Sequence, residues 1–554
     1  MNKKILKTKN KDPKKKKKID LISDLEKAGT AYKVLKKMNN KSYRLTKSKI
    51  ASGLQCKKKL WFDIHEPAKK VNKATFERGE RFNEVIRKHY TKIHGKELNL
   101  TGIWDDLIIK TKNAINSKEI NVIYEGTFEY LDTQVRTDVL IRKENGWELL
   151  EAKSSTKIKD EHYPDISIQS FIVRKCLREF GQDLVSCKVI HINKDFSLDK
   201  SKDYKNLIND ENDISENIVE FEEEIPSYIN ELLPLTENNT PCPSVSMGTH
   251  CTKPYECDYQ NRCISLLPKS NETSYKILPY IGASKDLKSY MEEIKSNDLQ
   301  KVPARFFKNR KDYALNYHGI IQQAHKNNKD WFDSNLKNIF KKFDFPYYFM
   351  DFETIMQGVP LIENTQPYEA MPFQWSVHKW ESADKEIDDG KSFLKFTDQD
   401  IERQFVETLL EAVGKNGTIF AHSAKGVEIK ILNKLKTKDS CKDLVNIIDK
   451  MIERVEDSLI LSRMNFYSPK MNGDWGIKSI IKAIPDCPLN YDEKDNIGGG
   501  DEAQLAWFVY TDVKTNDDQR KKQIKNLVDY CAKDTLALYY LIKFLMNKSN
   551  EQSQ

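Results

Sequence analysis

The sequence predicts an α/β protein, in part α+β, with separate modules, and two series of strand-like segments support this fold class. Three runs of β-forming residues with tight turns between them fall between residues 122 and 152, and a helix and a fourth strand follow. A second series starts near residue 343 with an apolar strand and continues with alternating helices and strands, as in an α/β sheet flanked by helices. At 554 residues the chain is too long for a single core, so two or three domains are expected.

The N-terminal tail, residues 1–44, accounts for the charge of the chain. Residues 1–20 contain ten Lys and two Asp, which equals the net charge of +8 of the whole protein. The remainder is formally neutral, so nucleic-acid affinity has to come from the tail or from local basic patches. We expect a disordered Lys-rich tail that either solubilises the protein or binds nucleic acid. No apolar run approaches the roughly 20 residues of a membrane span and no secretory signal is recognisable, so we expect a cytoplasmic protein with no membrane partner.

The first module, residues 45–270, is expected to contain a helix, a three-stranded meander, a second helix and a strand. The first helix is predicted near residues 76–90. Glu144-Asn-Gly146 is a hairpin signal between the second and third strands, and Pro164 marks the first turn of the second helix. The strands are predicted over Val122–Tyr130, Val135–Ile141, Trp147–Ala152 and Val185–Ile192.

Two acids and a lysine on this meander suit water activation at a phosphate. Glu151 and Lys153 are two residues apart on one strand and share a face, and hairpin pairing brings Asp138 near them. Two carboxylates can bind a metal, while the lysine ammonium orients the attacking water or lowers its pKa. The next helix adds Asp165 and Gln169, which are four residues apart on one helix face. The alternative interpretation is a salt-bridged surface hairpin.

This pattern resembles the PD-(D/E)XK nuclease superfamily, and most closely its RecB-like branch. The resemblance implies a restriction-endonuclease-like domain with Asp138 and Glu151 as metal ligands and Lys153 as a catalytic residue. It also implies that Gln169, on the following helix, joins the site. The branch often adds a metal-binding His from an upstream helix. This chain has no His at a suitable position there, and Glu84 is the candidate substitute.

Four cysteines flank this predicted nuclease core. Cys56 precedes it, and Cys251, Cys257 and Cys263 follow it at intervals of five intervening residues. In a cytosolic protein such a set indicates a metal before it indicates disulfides. The order resembles that of RecB-like nucleases with a [4Fe-4S] cluster, such as the CRISPR-associated adaptation nucleases, although their usual Cys-x2-Cys step is absent here. Zinc is the main alternative to the cluster, with unliganded thiols as a third interpretation. The residues that could replace one ligand are Cys242 and His250.

The second module, residues 343–548, follows a segment, residues 271–342, that we expect to be a charged helical connector. The module should open with a three-strand meander and continue with helices and strands in alternation. Its strands are predicted over residues 346–351, 372–380, 392–396 and 417–422, and its helices over about 400–413, 427–435 and 524–546.

A set of acids in this module predicts a divalent-metal site. Asp351 and Glu353 lie on one face of a half-buried strand, where two like charges are costly unless a cation sits between them. Hard cations prefer oxygen ligands, so the pair suits Mg²⁺ or Mn²⁺. Glu428 starts a helix beside the sheet, and Tyr530 and Asp534 share a helix face. Four carboxylates can hold two ions about 4 Å apart, an arrangement that supports phosphodiester cleavage.

This set resembles the DnaQ-like exonucleases of the DEDD class, which have an RNase H-like fold. The resemblance places Asp351 and Glu353 in the first motif, Glu428 in the second, and Tyr530 with Asp534 in the third, as in the tyrosine subclass. The histidine subclass would need His where this chain has Asp529. The second motif usually has Asp, and the substitute for Glu428 would be Asp457. Helix caps and surface charges are the alternative interpretation.

Both modules together resemble a group of mostly bacterial proteins labelled as a domain of unknown function. The phrases that carry this resemblance include residues 348–354, 372–378 and 530–535, and it extends over residues 46–546. We therefore expect a two-module nuclease that uses Mg²⁺ or Mn²⁺ and acts on nucleic acid, with DNA favoured over RNA. Repair, recombination and phage defence are all open as its context, and no protein partner is indicated. The alternatives are an RNA exonuclease, a nucleic-acid-binding protein with one or both sites inactive, and a zinc-stabilised scaffold.

Overall fold

The protein was analysed as a computed structural model that describes residues 45–552, apart from 69–72, 96, 101, 103, 267–271, 397–399, 492–499 and 513. The expected tail, residues 1–44, lies outside the described residues. The described parts form two compact mixed α/β units. In the part of the chain that is described, no helix is long and apolar enough to cross a membrane. Apart from the gaps named above, the first unit contains residues 45–68, 78–266 and Gly358–Pro367, and the second contains residues 73–77, 272–357 and 368–552.

The first unit is built on a seven-stranded mixed sheet, counted over its described residues. Its strands are β1 (Leu45–Thr46), β2 (Glu97–Asn99), β3 (Val122–Tyr130), β4 (Thr133–Lys143), β5 (Gly146–Lys153), β6 (Leu184–Ile192) and β7 (Ile208–Asn209). The order is β2-β3-β4-β5-β6-β7, and β1 pairs with β4. The helices that belong to it wholly or mostly are α1 (Lys47–Gln55), α2 (Lys57–His65), α3 (Lys73–His94), α4 (Trp104–Asn116), α5 (His162–Glu179), α6 (Val219–Leu232) and α7 (Gln260–Ser265).

The predicted meander is present as β3, β4 and β5, paired antiparallel. The turn at residues 144 and 145 closes with the pair Lys143 and Gly146. Gly146 has a φ of +148°, a conformation that favours glycine. The helix predicted at Pro164 is α5, and its apolar face packs on the sheet in a core that includes Trp147, Leu149 and Ile172. The strand predicted after it is β6, which pairs parallel with β5.

The second unit contains, within its described residues, a five-stranded sheet and a short two-stranded ribbon. Its strands are β8 (Trp331–Phe332), β9 (Tyr347–Met356), β10 (Ala370–Trp380), β11 (Lys391–Leu394), β12 (Thr418–Ala421), β13 (Val455–Asp457) and β14 (Phe466–Tyr467). The sheet order is β11-β10-β9-β12-β13, and β8 pairs with β14. Its helices are α8 (Lys285–Glu293), α9 (Tyr317–Asn327), α10 (Leu336–Ile339), α11 (Ile401–Val413), α12 (Glu428–Leu435), α13 (Val445–Ile452), α14 (Ser458–Asn465), α15 (Ile477–Ala483), α16 (Gly500–Thr511) and α17 (Asp517–Glu551).

Strand β9 lies in the middle of this sheet. It pairs antiparallel with β10 on one side and parallel with β12 on the other, so its first residues are buried on both faces. This explains why residues 347–350 form an unbroken apolar run. We predicted that the strand ends at residue 351, but its pairing with β10 continues to Met356. Asp351 and Glu353 therefore lie in the middle of a strand and not after it.

Residues 271–342, which we expected to form a connector, belong to the second unit and contribute to its core. Leu287 and Tyr317 are buried and pack in one apolar cluster with Trp475 and Leu541. The segment contains short helices, as expected, but its apolar side chains are part of a shared core. The charged composition of the segment did not reveal these buried apolar positions.

Candidate active site

Three carboxylates of the second unit meet at β9. Asp351 and Glu353 come from that strand, and Asp534 comes from α17. Each offers one oxygen, and these oxygens all lie within 4.8 Å of one another. Among the residues that the structure describes, no other group of three His, Cys, Asp or Glu side chains meets this distance. Because every offered atom is a carboxylate oxygen, the group fits a hard cation such as Mg²⁺ or Mn²⁺.

Burial raises the pKa of all three carboxyl groups, and repulsion by neighbouring carboxylates adds to this rise at Asp351 and Glu353. Burial first, and then the charge of Asp534, raise the pKa of Glu353 to about 8. The pKa of Asp351 is held well above its usual range by burial and by the charges of Asp534 and Glu353. Burial also raises the pKa of Asp534, although hydrogen bonds from two tyrosines oppose this. A cation among these oxygens would favour their ionised forms.

Glu428 is the fourth acid, and it stands apart from this trio. It is the first residue of α12 and is only 2% exposed. Burial raises its pKa to about 8. Its charge acts on Asp351 and Glu353, which places it in the same electrostatic environment. Its Oε2 atom is buried and has no hydrogen-bond partner among the described residues, so it is a carboxylate oxygen available to a second cation.

Asp457, the alternative to Glu428 as a ligand, accepts hydrogen bonds from the surrounding backbone. Its carboxylate accepts backbone hydrogen bonds from Ser423 and Lys425, both at 3.2 Å, and from Leu459 at 3.0 Å. It thus caps α14 and fixes the turn before α12. These bonds occupy both of its oxygens, and Glu428 remains the better candidate ligand.

Two phenols contact Asp534. Tyr530 donates a hydrogen bond to it, as its position one helical turn earlier predicted. Tyr491 also donates to it, with 2.7 Å between its hydroxyl and Oδ1. The ammonium of Lys478 lies 5.3 Å from the ring centroid of Tyr491 and 5.4 Å from that of Tyr530, and its charge lowers the pKa of Glu353. Tyr491 and Lys478 were not predictable, because only the tertiary fold brings them to Asp534 and Tyr530.

Buried polar contacts hold α17 against β10. Gln374 donates from Nε2 to a carbonyl of α17 at 2.7 Å. The hydroxyl of Thr535 lies 2.8 Å from Nδ1 of His378 and 3.1 Å from Oγ of Ser376. Thr535 follows Asp534 directly, so these contacts fix the position of the helix at the point where the acid enters the site.

The residues predicted on the meander of the first unit also lie together. Oδ2 of Asp138 accepts a hydrogen bond from the backbone of Ala152 at 2.7 Å. Nζ of Lys153 donates to Oε1 of Glu151 at 2.8 Å, and also to Asp165 on α5. Burial first, and then the charge of Glu151, raise the pKa of Asp138 to about 7. The structure therefore brings the predicted acids and the lysine into one buried charged cluster.

Lys47 is a second lysine in this cluster, and sequence reasoning missed it. It is the first residue of α1, and its Nζ lies 2.6 Å from Oε1 of Glu151 and 3.5 Å from Oδ2 of Asp165. Burial alone would raise the pKa of Asp165, but Lys47 and Lys153 together hold it well below its usual range. Lys47 is 104 residues from Glu151, and no local pattern connects them.

Gln169 and Glu84 have different places in the first unit. Gln169 is fully buried and donates from Nε2 to the carbonyl of Arg136 at 2.7 Å, while its Oε1 has no partner among the described residues. Glu84 is exposed and lines a pocket on α3. Glu80, one turn earlier, instead acts on Glu125, whose pKa burial raises.

The cysteines before and after the core of the first unit come close to one another. Cys56 lies at the corner between α1 and α2, and the adjacent Gln55 donates to two carbonyls of the loop at residues 250–255, at 2.8 and 2.7 Å. Burial first, and then the neighbouring thiols of Cys56 and Cys251, raise the pKa of Cys257. The pKa of Cys263 is raised by burial and by the same two thiols. The thiols of Cys56 and Cys251 thus act on both Cys257 and Cys263, but no three of these sulfurs lie within 4.8 Å of one another in this structure.

Aromatic contacts reinforce this corner. The rings of Phe62 and Tyr259 stack with centroids 5.0 Å apart, and the hydroxyl of Tyr259 donates to Asp63 at 2.8 Å. Exposed Cys242 also lies in electrostatic contact with Cys263 and Cys56. The donor atoms here are sulfurs, which suit an iron–sulfur cluster or zinc.

Comparison with known proteins bears on the second unit. Residues 348–476 match the model of a family described as Domain of unknown function (DUF2779). This agrees with the expected relation to a family of unknown function. The match contains Asp351, Glu353 and Glu428 but ends before Tyr491 and Asp534. No curated protein and no solved structure matches the chain.

Proposed function

We propose that the chain is a divalent-metal-dependent nuclease whose second unit hydrolyses DNA phosphodiester bonds. The observation that carries this proposal is the trio of Asp351, Glu353 and Asp534, with oxygens within 4.8 Å of one another and raised pKa values. A group of this kind is unfavourable as free anions and becomes favourable around a cation. It also matches the residues that resemble the DnaQ-like exonucleases.

Asp351, Glu353 and Asp534 would hold Mg²⁺ or Mn²⁺, and Glu428 offers its unpartnered oxygen for a second ion. When bound, the ion supplies positive charge that stabilises the charge developing on the phosphate. The hydroxyl of Tyr491 keeps Asp534 in place.

The remaining polar groups suit the handling of water and phosphate. Tyr530 and Tyr491 both face Asp534, so a phenol oxygen can accept a hydrogen bond from the attacking water and orient it. Lys478 lies beside both rings and can pair with a phosphate oxygen. The meander β9-β10-β11 followed by parallel β12 and β13 supports an RNase H-like arrangement for this unit.

The experiment is a cleavage assay with single- and double-stranded DNA and RNA in Mg²⁺ and in Mn²⁺. In the Glu151→Gln background, which removes the candidate ligand of the first unit, Asp351→Asn should lose cleavage. Asp529→Asn should retain it, because Asp529 is exposed and lies one residue before Tyr530. If Glu151→Gln cleaves every substrate equally with and without Asp351→Asn, the proposal for the second unit is wrong. Preferential cleavage of RNA would instead establish the RNA exonuclease alternative.

We also propose that the first unit is a second, PD-(D/E)XK-type centre, with Asp138 and Glu151 as ligands. One observation favours the alternative of a binding module: Lys47 and Lys153 already neutralise Glu151 and Asp165. A Glu151→Gln variant in the Asp351→Asn background separates the two. Residual metal-dependent cleavage that Glu151→Gln removes, and Glu144→Gln in the exposed turn does not, supports a second centre. Retained binding without cleavage supports the binding module.

For Cys56, Cys251, Cys257 and Cys263 we propose a [4Fe-4S] cluster, with zinc as the alternative. The support is that Gln55, beside Cys56, donates hydrogen bonds to the loop at residues 250–255, and that the thiols of Cys56 and Cys251 raise the pKa of Cys257 and Cys263. Anaerobically purified protein should contain iron and sulfide and show a broad visible absorbance band, which Cys56→Ser should abolish. Cys441→Ser, a buried cysteine of the second unit, is the control. Bound zinc without that band would rule out the cluster.

A further inference from the structure

A pocket of about 670 Å³ opens beside α3 in the first unit. Its walls come from one face of that helix, from residues 202–205 and from Val359 and Leu361, all of which belong to this unit. The volume falls within the range of about 300–1,000 Å³ that is typical of ligand sites. The pocket uses none of the acids or cysteines described above, apart from Glu84.

The pocket is locally basic. The acids in its lining are Glu84 and Asp203. The chain after residue 20 is formally neutral, so an excess of lysine and arginine at one pocket is a local feature. The pocket residues on α3 are spaced at helical intervals of three or four residues, so they lie on one face of the helix. The five basic residues are Arg81, Lys88, Lys92, Lys202 and Lys205.

Rings and apolar side chains share this pocket with the charges. The hydroxyl of Tyr204 donates to the carbonyl of Pro360 at 2.8 Å, which holds the ring in place. Burial lowers the pKa of His89, so its ring is neutral at physiological pH. Val85 and Ile93 add apolar surface, and Ile93 is 57% exposed. A ligand that fits has phosphates and a flat apolar group.

We propose that this pocket binds single-stranded nucleic acid, with phosphates on Arg81, Lys88 and Lys92 and an unstacked base against His89, Tyr204 and Ile93. Bases of a duplex are stacked and cannot present a face to these rings, whereas a single strand can. The inference deepens the proposed function, on which it rests for the identity of the substrate. The pocket shares no lining residue with either acidic cluster.

The test measures binding without cleavage. Fluorescence anisotropy follows labelled oligo(dT), oligo(U) and a blunt duplex in EDTA, with the full chain carrying Asp351→Asn and Glu151→Gln. For a single strand, each phosphate contact adds about 0.7 to the steepness of the plot of log K against log[salt]. Lys88→Ala/Lys92→Ala removes two contacts, so this slope should become shallower by about 1.4. Lys110→Ala/Lys118→Ala, which removes two exposed lysines of the same unit outside the pocket, should leave it unchanged.

The apolar part of the pocket needs its own variant. Ile93→Ser changes an exposed residue, so folding should be preserved, and it should weaken single-strand binding while leaving the salt slope unchanged. The proposal is overturned if Lys88→Ala/Lys92→Ala binds single strands like the control pair. It is also overturned if the duplex loses as much affinity as the single strands in both pocket variants. Because binding is measured without metal, absence of cleavage in the earlier assay would refute the nuclease and leave this result intact.

Discussion

The four acids of the candidate site come from three segments that are distant in the sequence. The ionised form of each acid is unfavourable in its buried position. Asp351 and Glu353 are on β9, Glu428 opens α12, and Asp534 is on α17. Burial raises the pKa of every one of them. In the absence of a cation the folded unit therefore keeps protons on groups that the unfolded chain would release. This makes its stability depend on pH and metal together.

The first prediction concerns the stability of metal-free protein. Glu353 and Glu428 have pKa values of about 8 in the folded unit and an ordinary value of 4.5 in the unfolded chain. Between these values the folded protein binds more protons, so the free energy of unfolding should fall as pH rises from 4.5 to 8. Urea unfolding in EDTA at several pH values measures this. The double variant Glu353→Gln/Glu428→Gln should show a smaller fall, and saturating Mg²⁺ should flatten the dependence in wild type. An equal fall in the double variant would contradict the pKa assignment.

The second prediction concerns Tyr491. Its hydrogen bond lowers the pKa of Asp534. Tyr491→Phe should therefore move the acid limb of the pH–rate profile to higher pH. It should also slow cleavage by about 10- to 100-fold, since a hydrogen bond to a charged group is worth about 1.5–3 kcal/mol. Tyr540→Phe, farther along α17, is the control. An unshifted limb in Tyr491→Phe would show that the phenol is structural only.

Among individual residues, the acids could be predicted from the sequence more readily than the side chains that contact them. Asp351 and Glu353 were predictable because spacing of two in a strand puts side chains on one face. Tyr530 and Asp534 were predictable from helical spacing. Tyr491 was not, because only the tertiary fold brings it to Asp534, 43 residues along the chain.

At the scale of elements, α17 and β10 set the geometry of the site. Their contacts at Thr535, with Ser376 and His378, are fully buried and lie next to Asp534. A buried hydroxyl that joins two elements fixes both distance and register, which an apolar contact does less strictly.

A substitution at this contact tests that role. Thr535→Val keeps the shape but leaves the polar atoms of Ser376 and His378 without this partner, which should cost about 1–3 kcal/mol of stability. Activity should fall further than stability explains, because Asp534 shifts. Thr511→Val is the control, since that hydroxyl bonds to carbonyls of its own helix α16. The free energy of unfolding, from urea titration, and the cleavage rate are measured for both variants and compared. Full activity in Thr535→Val would mean that the contact does not position the acid.

Most elements could be predicted because hydrophobic period and turn signals agree with the tertiary fold. The β3 strand has the bounds that the sequence predicted, and β4 is longer by two residues at each end. Strand β9 runs past its acids because pairing with β10 continues, which no local signal shows. The start of α17 was missed although Asn516 and Gln519 form a capping box there.

At the scale of the whole molecule, the two units differ from the predicted modules at residues 73–77, 272–342 and Gly358–Pro367. Residues 272–342 contribute many buried apolar side chains to the core of the second unit. Composition could not show this, because these positions alternate with charges and some of their partners, such as Trp475 and Leu541, lie more than a hundred residues away.

A core variant in this segment tests whether it is integral. Leu287 is fully buried in that cluster, so Leu287→Ala should lower the free energy of unfolding by about 2–5 kcal/mol. Hydrogen exchange should then accelerate in β9 and α17 as well as in α8. Leu315→Ala, at a site that is 78% exposed, should change stability by less than about 0.5 kcal/mol. Faster exchange confined to α8 would mean that the segment is only attached to the unit.

The central claim is that Asp351, Glu353 and Asp534 form a divalent-metal centre. The most direct test is anomalous scattering from crystals of the full chain grown with Mn²⁺. We predict an anomalous peak in contact with oxygens of all three residues, and its loss in crystals of Asp351→Asn. A map without a peak at these oxygens, from protein that cleaves nucleic acid in Mn²⁺, would contradict the account.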